Sequence, residues 1–178
     1  MKRFLPSLQI IGITIAACMV YGLVHALAAT QISIIYYAAF YPFPPVLLEN
    51  PVLFGLVLGV ATSWWLGLSL GVILALACRK GDKPKLGWKS LVKPLLVFVG
   101  IALVCTAIVG GIAYVLSIKG MLELPDAIWH LIMYEEEAGF WAVGFMNLTA
   151  YLAAMVGCIW MVLRIRSTRK RLSENPSL

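Results

Sequence analysis

Four long runs of apolar residues, each without a single Asp, Glu, Lys or Arg, alternate along the chain with shorter polar or aromatic segments. They cover about 5–28, 52–77, 94–117 and 140–163. A helix of roughly 20 apolar residues crosses about 30 Å of hydrocarbon and satisfies its own backbone N–H and C=O groups on the way. The pattern therefore predicts an all-α membrane protein, a four-transmembrane-helix bundle that forms one membrane domain over 1–178. Asn50-Pro51 supplies a cap and a first-turn proline for the second helix. Within that helix Gly55, Gly59, Ser63, Gly67, Gly71 and Ala75 recur every four residues. Such a stripe lets a neighbouring helix backbone come close, which matters because lipid gives helices no hydrophobic reason to associate. The stripe is read as a packing surface, for another helix of this chain or for a second protein. Thr149, Ala153 and Gly157 repeat the pattern more briefly in the fourth helix.

The connections differ in character. Residues 29–50 are too apolar and aromatic for a solvated loop. Gln31, Ile32, Ser33 and Ile34 alternate as a strand would, and Tyr36, Tyr37, Phe40, Tyr41 and Phe43 resemble an interfacial aromatic belt. Pro42, Pro44 and Pro45 call for an extended approach to the second helix. The segment is expected to form an aromatic outer cap. Residues 118–139 should share that surface, with a short interfacial helix from Pro125-Asp126 to near Tyr134. Residues 79–93 are short, charged and punctuated by Gly and Pro, as a cytoplasmic loop is, and 164–178 form a basic tail.

Composition agrees: 62% of residues are hydrophobic and 12% charged, with a mean hydropathy of +0.93. Charge adds orientation. Every Lys and Arg except Lys119 lies before the first helix, between the second and third, or after the fourth, whereas Glu49, Glu123, Asp126, Glu135, Glu136 and Glu137 lie on the other side. The net charge of +6 is thus read as a positive-inside signal with both termini cytoplasmic, in a membrane of the bacterial inner type, and not as a nucleic-acid surface. Arg164, Arg166, Arg169, Lys170 and Arg171 are dense enough to hold lipid headgroups. Lys2-Arg3, an apolar run and Ala26-Leu27-Ala28 also imitate a signal peptide, but a run of about 24 residues exceeds the usual core of about 7–15.

Candidate chemistry is sparse. Cys18, Cys78, Cys105 and Cys158 have no metal-ligand spacing and read as small packing residues. Trp64 and Trp65 fall in mid-helix, where they either pack, face lipid or line a pocket. Asn147-Leu148-Thr149 matches a glycosylation sequon inside a helix, where no glycan fits. His25, His130 and the carboxylates Glu135, Glu136 and Glu137 are the one set able to hold a metal or haem, provided the fold brings the histidines together. Otherwise His25 packs beside Tyr21 or the aromatic segment as a neutral hydrogen-bonding group.

Tyr21-Gly22-Leu23-Val24-His25, Tyr36-Tyr37, Tyr41-Pro42, Pro51 and the run from Gly59 to Leu68 resemble a family of small, uncharacterised bacterial four-helix membrane proteins over roughly the first 80 residues. The family pattern implies a polar metal or ligand site at the outer end of the first helix. Here Ala26, Ile35 and Tyr41 stand where that pattern has Asp, Glu and His, so three candidate ligands are missing.

Proton and ion pathways use ionisable residues within the membrane, and the apolar runs contain no carboxylate, Lys or Arg. The sequence therefore favours a non-catalytic scaffold or accessory subunit that binds lipids and another membrane protein or a second copy of itself, without a cofactor. A metal- or haem-binding redox component using His25 and His130 is the first alternative. A lipid-binding or transport module is the second.

Overall fold

In a computed structural model the described residues are 4–40, 43–124, 132 and 136–174. They form six helices: α1 (Leu5–Ile32), α2 (Ile35–Phe40), α3 (Pro45–Leu48), α4 (Pro51–Arg79), α5 (Lys89–Ile118) and α6 (Glu137–Glu174). There is no strand among the described residues. α1, α4, α5 and α6 are each long and apolar enough to cross a membrane.

The helix ends follow local chemistry. Asn50 Oδ1 accepts the Leu53 N–H at 3.0 Å, and Pro51 follows as the first helical residue, where a missing N–H costs nothing. α1 runs to Ile32, and Thr30 near its end lies 2.9 Å from the carbonyl of Ala26 in its own helix and 2.9 Å from that of Pro51 at the start of α4. The strand-like alternation at Gln31–Ile34 is not realised. Only Ser33 is extended, and its Oγ accepts the Tyr36 N–H at 3.3 Å to start α2. Four alternating residues with no strand to pair with bond better within helices. Pro44 is extended, as its ring requires, and Pro45 opens the single turn of α3.

At the other end the loop is shorter than 79–93, because α5 already begins at Lys89 and includes Pro94. The exposed Lys89 and Lys93 tolerate helix as well as loop, and Pro94 lies within the first two turns, so it removes one backbone bond near the helix start without ending it. α6 likewise continues through the basic stretch to Glu174.

α1 lies along α4 and α5 along α6, and the two pairs join through α4 with α6 and α1 with α5. The glycine stripe of α4 faces α1. A Cβ on Gly59 would stand 2.8 Å from the Gly22 carbonyl oxygen and the Leu23 Cα; one on Gly67 would stand 2.7 Å from the Ile15 Cα. Gly55 meets Thr30 and Leu27, and Gly71 meets Ile11, in the same way. Gly22 returns the relationship by facing Ser63. The helices thus touch backbone to backbone over four turns. In α6, Gly157 seats the ring of Phe98.

Two cores close the ends of the bundle. One gathers Ile10, Leu74, Cys78, Leu91, Leu95, Met161 and Ile165 beside the 80–88 loop. The other gathers Ala26, Ala29, Tyr37, Phe54, Leu58, Val143 and Met146 beneath α2 and α3. Above the second, Tyr36 and Phe40 meet Phe140, and Phe43 meets Phe54 edge to face at 4.7 Å. Leu124 and Ile132, from the connection before α6, pack with Phe140 against Ile35 and Tyr36. The expected short helix from Pro125 to Tyr134 lies outside the described residues.

Candidate functional site: a cavity headed by His25

Between the two cores the helices do not close. A cavity of about 100 Å³ separates them, walled by all four long helices. It follows α1 from Thr14 to His25 and α6 from Asn147 to Met161. At 1.5 Å per residue these stretches are about 16 and 21 Å long. Its sides are Leu66, Leu70, Phe98 and Ala154, and Leu74, Leu95 and Met161 form the end next to the 80–88 loop.

The opposite end is polar. His25, 8% exposed, stacks on Tyr21 one helical turn earlier, with centroids 5.5 Å apart and planes 13° from parallel. Its Nε2 lies 3.1 Å from Asn147 Oδ1 on α6, and the Asn147 amide nitrogen donates to the Tyr37 hydroxyl at 3.4 Å. With the amide so placed, Oδ1 accepts from His25 Nε2–H, and the neutral ring carries its lone pair on Nδ1. Nδ1 is buried and has no hydrogen-bond partner among the described residues.

The other polar groups of the wall are committed to their own helices. Thr14 donates to the Ile10 carbonyl at 2.8 Å, Thr62 to the Leu58 carbonyl at 2.7 Å, and Ser63 to the Gly59 carbonyl. The Tyr21 hydroxyl is drawn toward Thr106 but makes no hydrogen bond of good geometry. The Tyr21 hydroxyl and His25 Nδ1 are therefore the two polar atoms at this end that are buried without a hydrogen-bond partner among the described residues, and burying them unpaired is costly.

Of the other candidate ligands, His130 and Glu135 lie outside the described residues. Glu137 Oε1 accepts the Leu124 N–H at 3.0 Å, and Glu136 Oε2 is buried without a hydrogen-bond partner among the described residues. No group of three His, Cys, Asp or Glu converges on a metal position among the described residues. Trp64 and Trp65 are half exposed and point away from the cavity wall. Cys78 is buried, Cys18 and Cys158 line the cavity, and Cys105 is exposed on the bundle surface and so does not pack as expected.

Of the basic candidates for headgroups, Arg164, Arg166, Lys170 and Arg171 are exposed, with Arg164 over the Trp160 ring at 5.4 Å and Lys170 3.7 Å from Glu174. Arg169 corrects the expectation. It is 6% exposed and donates to four backbone carbonyls, those of Ala77 (2.6 Å), Lys80, Lys83 and Pro84 (2.9 Å each). A guanidinium beside carbonyls left open at a helix C-terminus and in a tight loop satisfies them, and four of its five N–H donors are used there rather than on a phosphate.

Asn147 is legible in the sequence only as a sequon with no room for a glycan. The signal that marks it is its amide in the middle of an apolar run, where polar side chains usually bond across helices. Comparison with known protein families, with curated proteins and with solved structures finds no match to this chain. Its class therefore rests on its own geometry: an all-helical bundle of four helices of membrane-spanning length around a cavity with one polar end.

Proposed function

We propose that this is an integral membrane protein, both termini cytoplasmic, that binds a slender apolar molecule in the cavity between its four long helices and catalyses no reaction on it. The observation that carries this reading is the open cavity with His25 and Asn147 at one end, walled mainly by aliphatic and aromatic side chains, its hydroxyls at Thr14, Thr62 and Ser63 bonded to their own helices. Small-molecule sites have this composition, apolar with few fixed polar groups. About 100 Å³ along some three turns of α1 suits a small apolar molecule and leaves no room for a porphyrin. The basic residues at the 80–88 end and in the tail support the orientation.

Purification in a mild detergent, followed by extraction and mass spectrometry, tests the reading. A stoichiometric apolar molecule is expected with the native protein. It is expected to be lost on Ala154→Phe, which fills the wall. Retention of the molecule by a folded Ala154→Phe variant would place it elsewhere.

The second reading, an accessory subunit docked on another membrane protein, draws on Trp64 and Trp65. They lie side by side in mid-helix and are 49% and 47% exposed. Tryptophan in a spanning helix is ordinarily enriched at the membrane–water interface, and at protein interfaces it is enriched among binding hot spots. Identification of a stoichiometric partner whose recovery falls on Trp64→Ala, with no small molecule present, favours this reading over the first.

A further inference from the structure

A second recess of about 140 Å³ lies at the 80–88 end of the bundle, between the first turns of α5 and the stretch of α6 just past its apolar run, and shares only Met161 with the central cavity. Its floor is apolar, with Leu91, Pro94 and Ile165 buried, and Ser90, Arg164 and Thr168 complete its wall. No carboxylate is among its described lining residues. Arg164 and Arg169 are five positions apart and are used differently. Arg169 is committed to backbone carbonyls, whereas the Arg164 guanidinium lies over the Trp160 ring at 5.4 Å and makes no hydrogen bond or ion pair among the described residues. A ring takes up the face of a guanidinium and leaves its N–H edges open. Thr168, one turn on and on the same face of α6, also keeps its hydroxyl free of hydrogen bonds among the described residues, while those of Thr14, Thr62 and Thr106 are bonded to their own helices.

A fixed positive charge beside a free hydroxyl, above an apolar floor, suits an oxyanion, and the guanidinium fork matches phosphate oxygens two at a time. Arg164 is the first charged residue after the fourth apolar run and Lys93 the last before the third, so in a membrane-embedded chain, the reading on which this inference rests, the recess sits where two spans leave the hydrocarbon. The oxyanions abundant at that level are lipid phosphates. Lys89 and Lys93, next to Ser90 and Pro94 in the chain, add to the positive field. We propose that this recess binds the phosphate of an anionic phospholipid, Arg164 and the Thr168 hydroxyl donating to its oxygens while the acyl chains stay in the bilayer. A choline headgroup would bring a further cation among these basic residues, and a glycerol headgroup does not.

The test uses the full-length protein in a mild detergent, titrated with phosphatidylglycerol or phosphatidylcholine of the same acyl chains and read by native mass spectrometry. The first phosphatidylglycerol should bind with a Kd roughly fivefold lower than phosphatidylcholine, the worth of one well-placed basic group at a membrane surface. Arg164→Gln should abolish that preference. Arg166→Gln, an equally exposed arginine outside the recess, should keep most of it. Ser90→Phe, which obstructs the recess and leaves every charge in place, should lose it as Arg164→Gln does. Both Ser90 and Arg164 are exposed, so melting in lipid-free detergent is expected to stay near that of the unsubstituted protein.

Equal binding of the two lipids by the unsubstituted protein would overturn the inference, and needs no variant to fold. Equal loss in Arg166→Gln and Arg164→Gln, or an undiminished preference in Ser90→Phe, would assign the effect to the diffuse charge of the tail and overturn the recess. Displacement of phosphatidylglycerol by inorganic phosphate would make the ligand a soluble anion and overturn the lipid. Release of the chain from carbonate-washed membranes would overturn the membrane reading and the inference with it, whereas retention there beside equal lipid binding would overturn the inference alone.

Discussion

Arg169 Nη1 stands 2.6 Å from the carbonyl oxygen of Ala77, tying the C-terminal part of α6 to the last turn of α4. The same side chain reaches Lys80, Lys83 and Pro84 in the loop, so one guanidinium organises that whole end of the bundle. Arg169→Met is expected to lower stability by about 2–3 kcal/mol, since it leaves several carbonyls without their charged donor. Arg169→Lys should recover only a part, because one ammonium cannot span the fork. Thermal unfolding in detergent reads both, and melting unchanged in Arg169→Met would show that water replaces the arginine without loss.

Gly59→Leu and Gly67→Leu should each separate α1 from α4, because the new side chain meets backbone within 3 Å and backbone cannot rotate out of the way. Overpacking of this kind costs about 1–3 kcal/mol or more. Leu68→Ala, on the exposed side of α4, serves as the comparison and should change melting little. Similar melting for all three would deny the stripe its role.

The proposed orientation can be mapped with an impermeant maleimide in a background where the four cysteines are alanine. Ser173→Cys and Asp82→Cys should label only when the cytoplasmic side is open, and Glu49→Cys from the opposite side. Labelling of Ser173→Cys from the outside of intact cells would reverse the proposal.

His25→Gln should leave the protein folded and change metal content not at all. His25 is engaged by Asn147 and Tyr21, and no metal cluster exists among the described residues. Elemental analysis beside a melting curve decides this, and stoichiometric zinc, copper or iron lost on substitution would restore the metal-centre reading.

Asn147→Leu should cost about 1 kcal/mol, in the range of hydrogen bonds between membrane helices, and should free the His25 ring. The ¹⁵N pattern of His25 would then report a mixture of tautomers, whereas an unchanged pattern would show that Asn147 does not set the proton.

Much of the architecture can be read along the chain. A spanning helix satisfies its backbone within one segment, so the four apolar runs and the Asn50-Pro51 start are visible before any fold is known. The period-four spacing from Gly55 to Gly71 identifies a face, because helical geometry alone puts those residues in line. Which helix that face meets, how Arg169 is used and why Asn147 matters are relations between residues far apart in sequence. Arg169 and the carbonyl of Lys80 are separated by 89 positions, and His25 and Asn147 by 122. No local periodicity encodes such pairs. They exist because two helix pairs packed together leave a gap between their cores, and the side chains facing that gap or a loop end must find their hydrogen bonds across it.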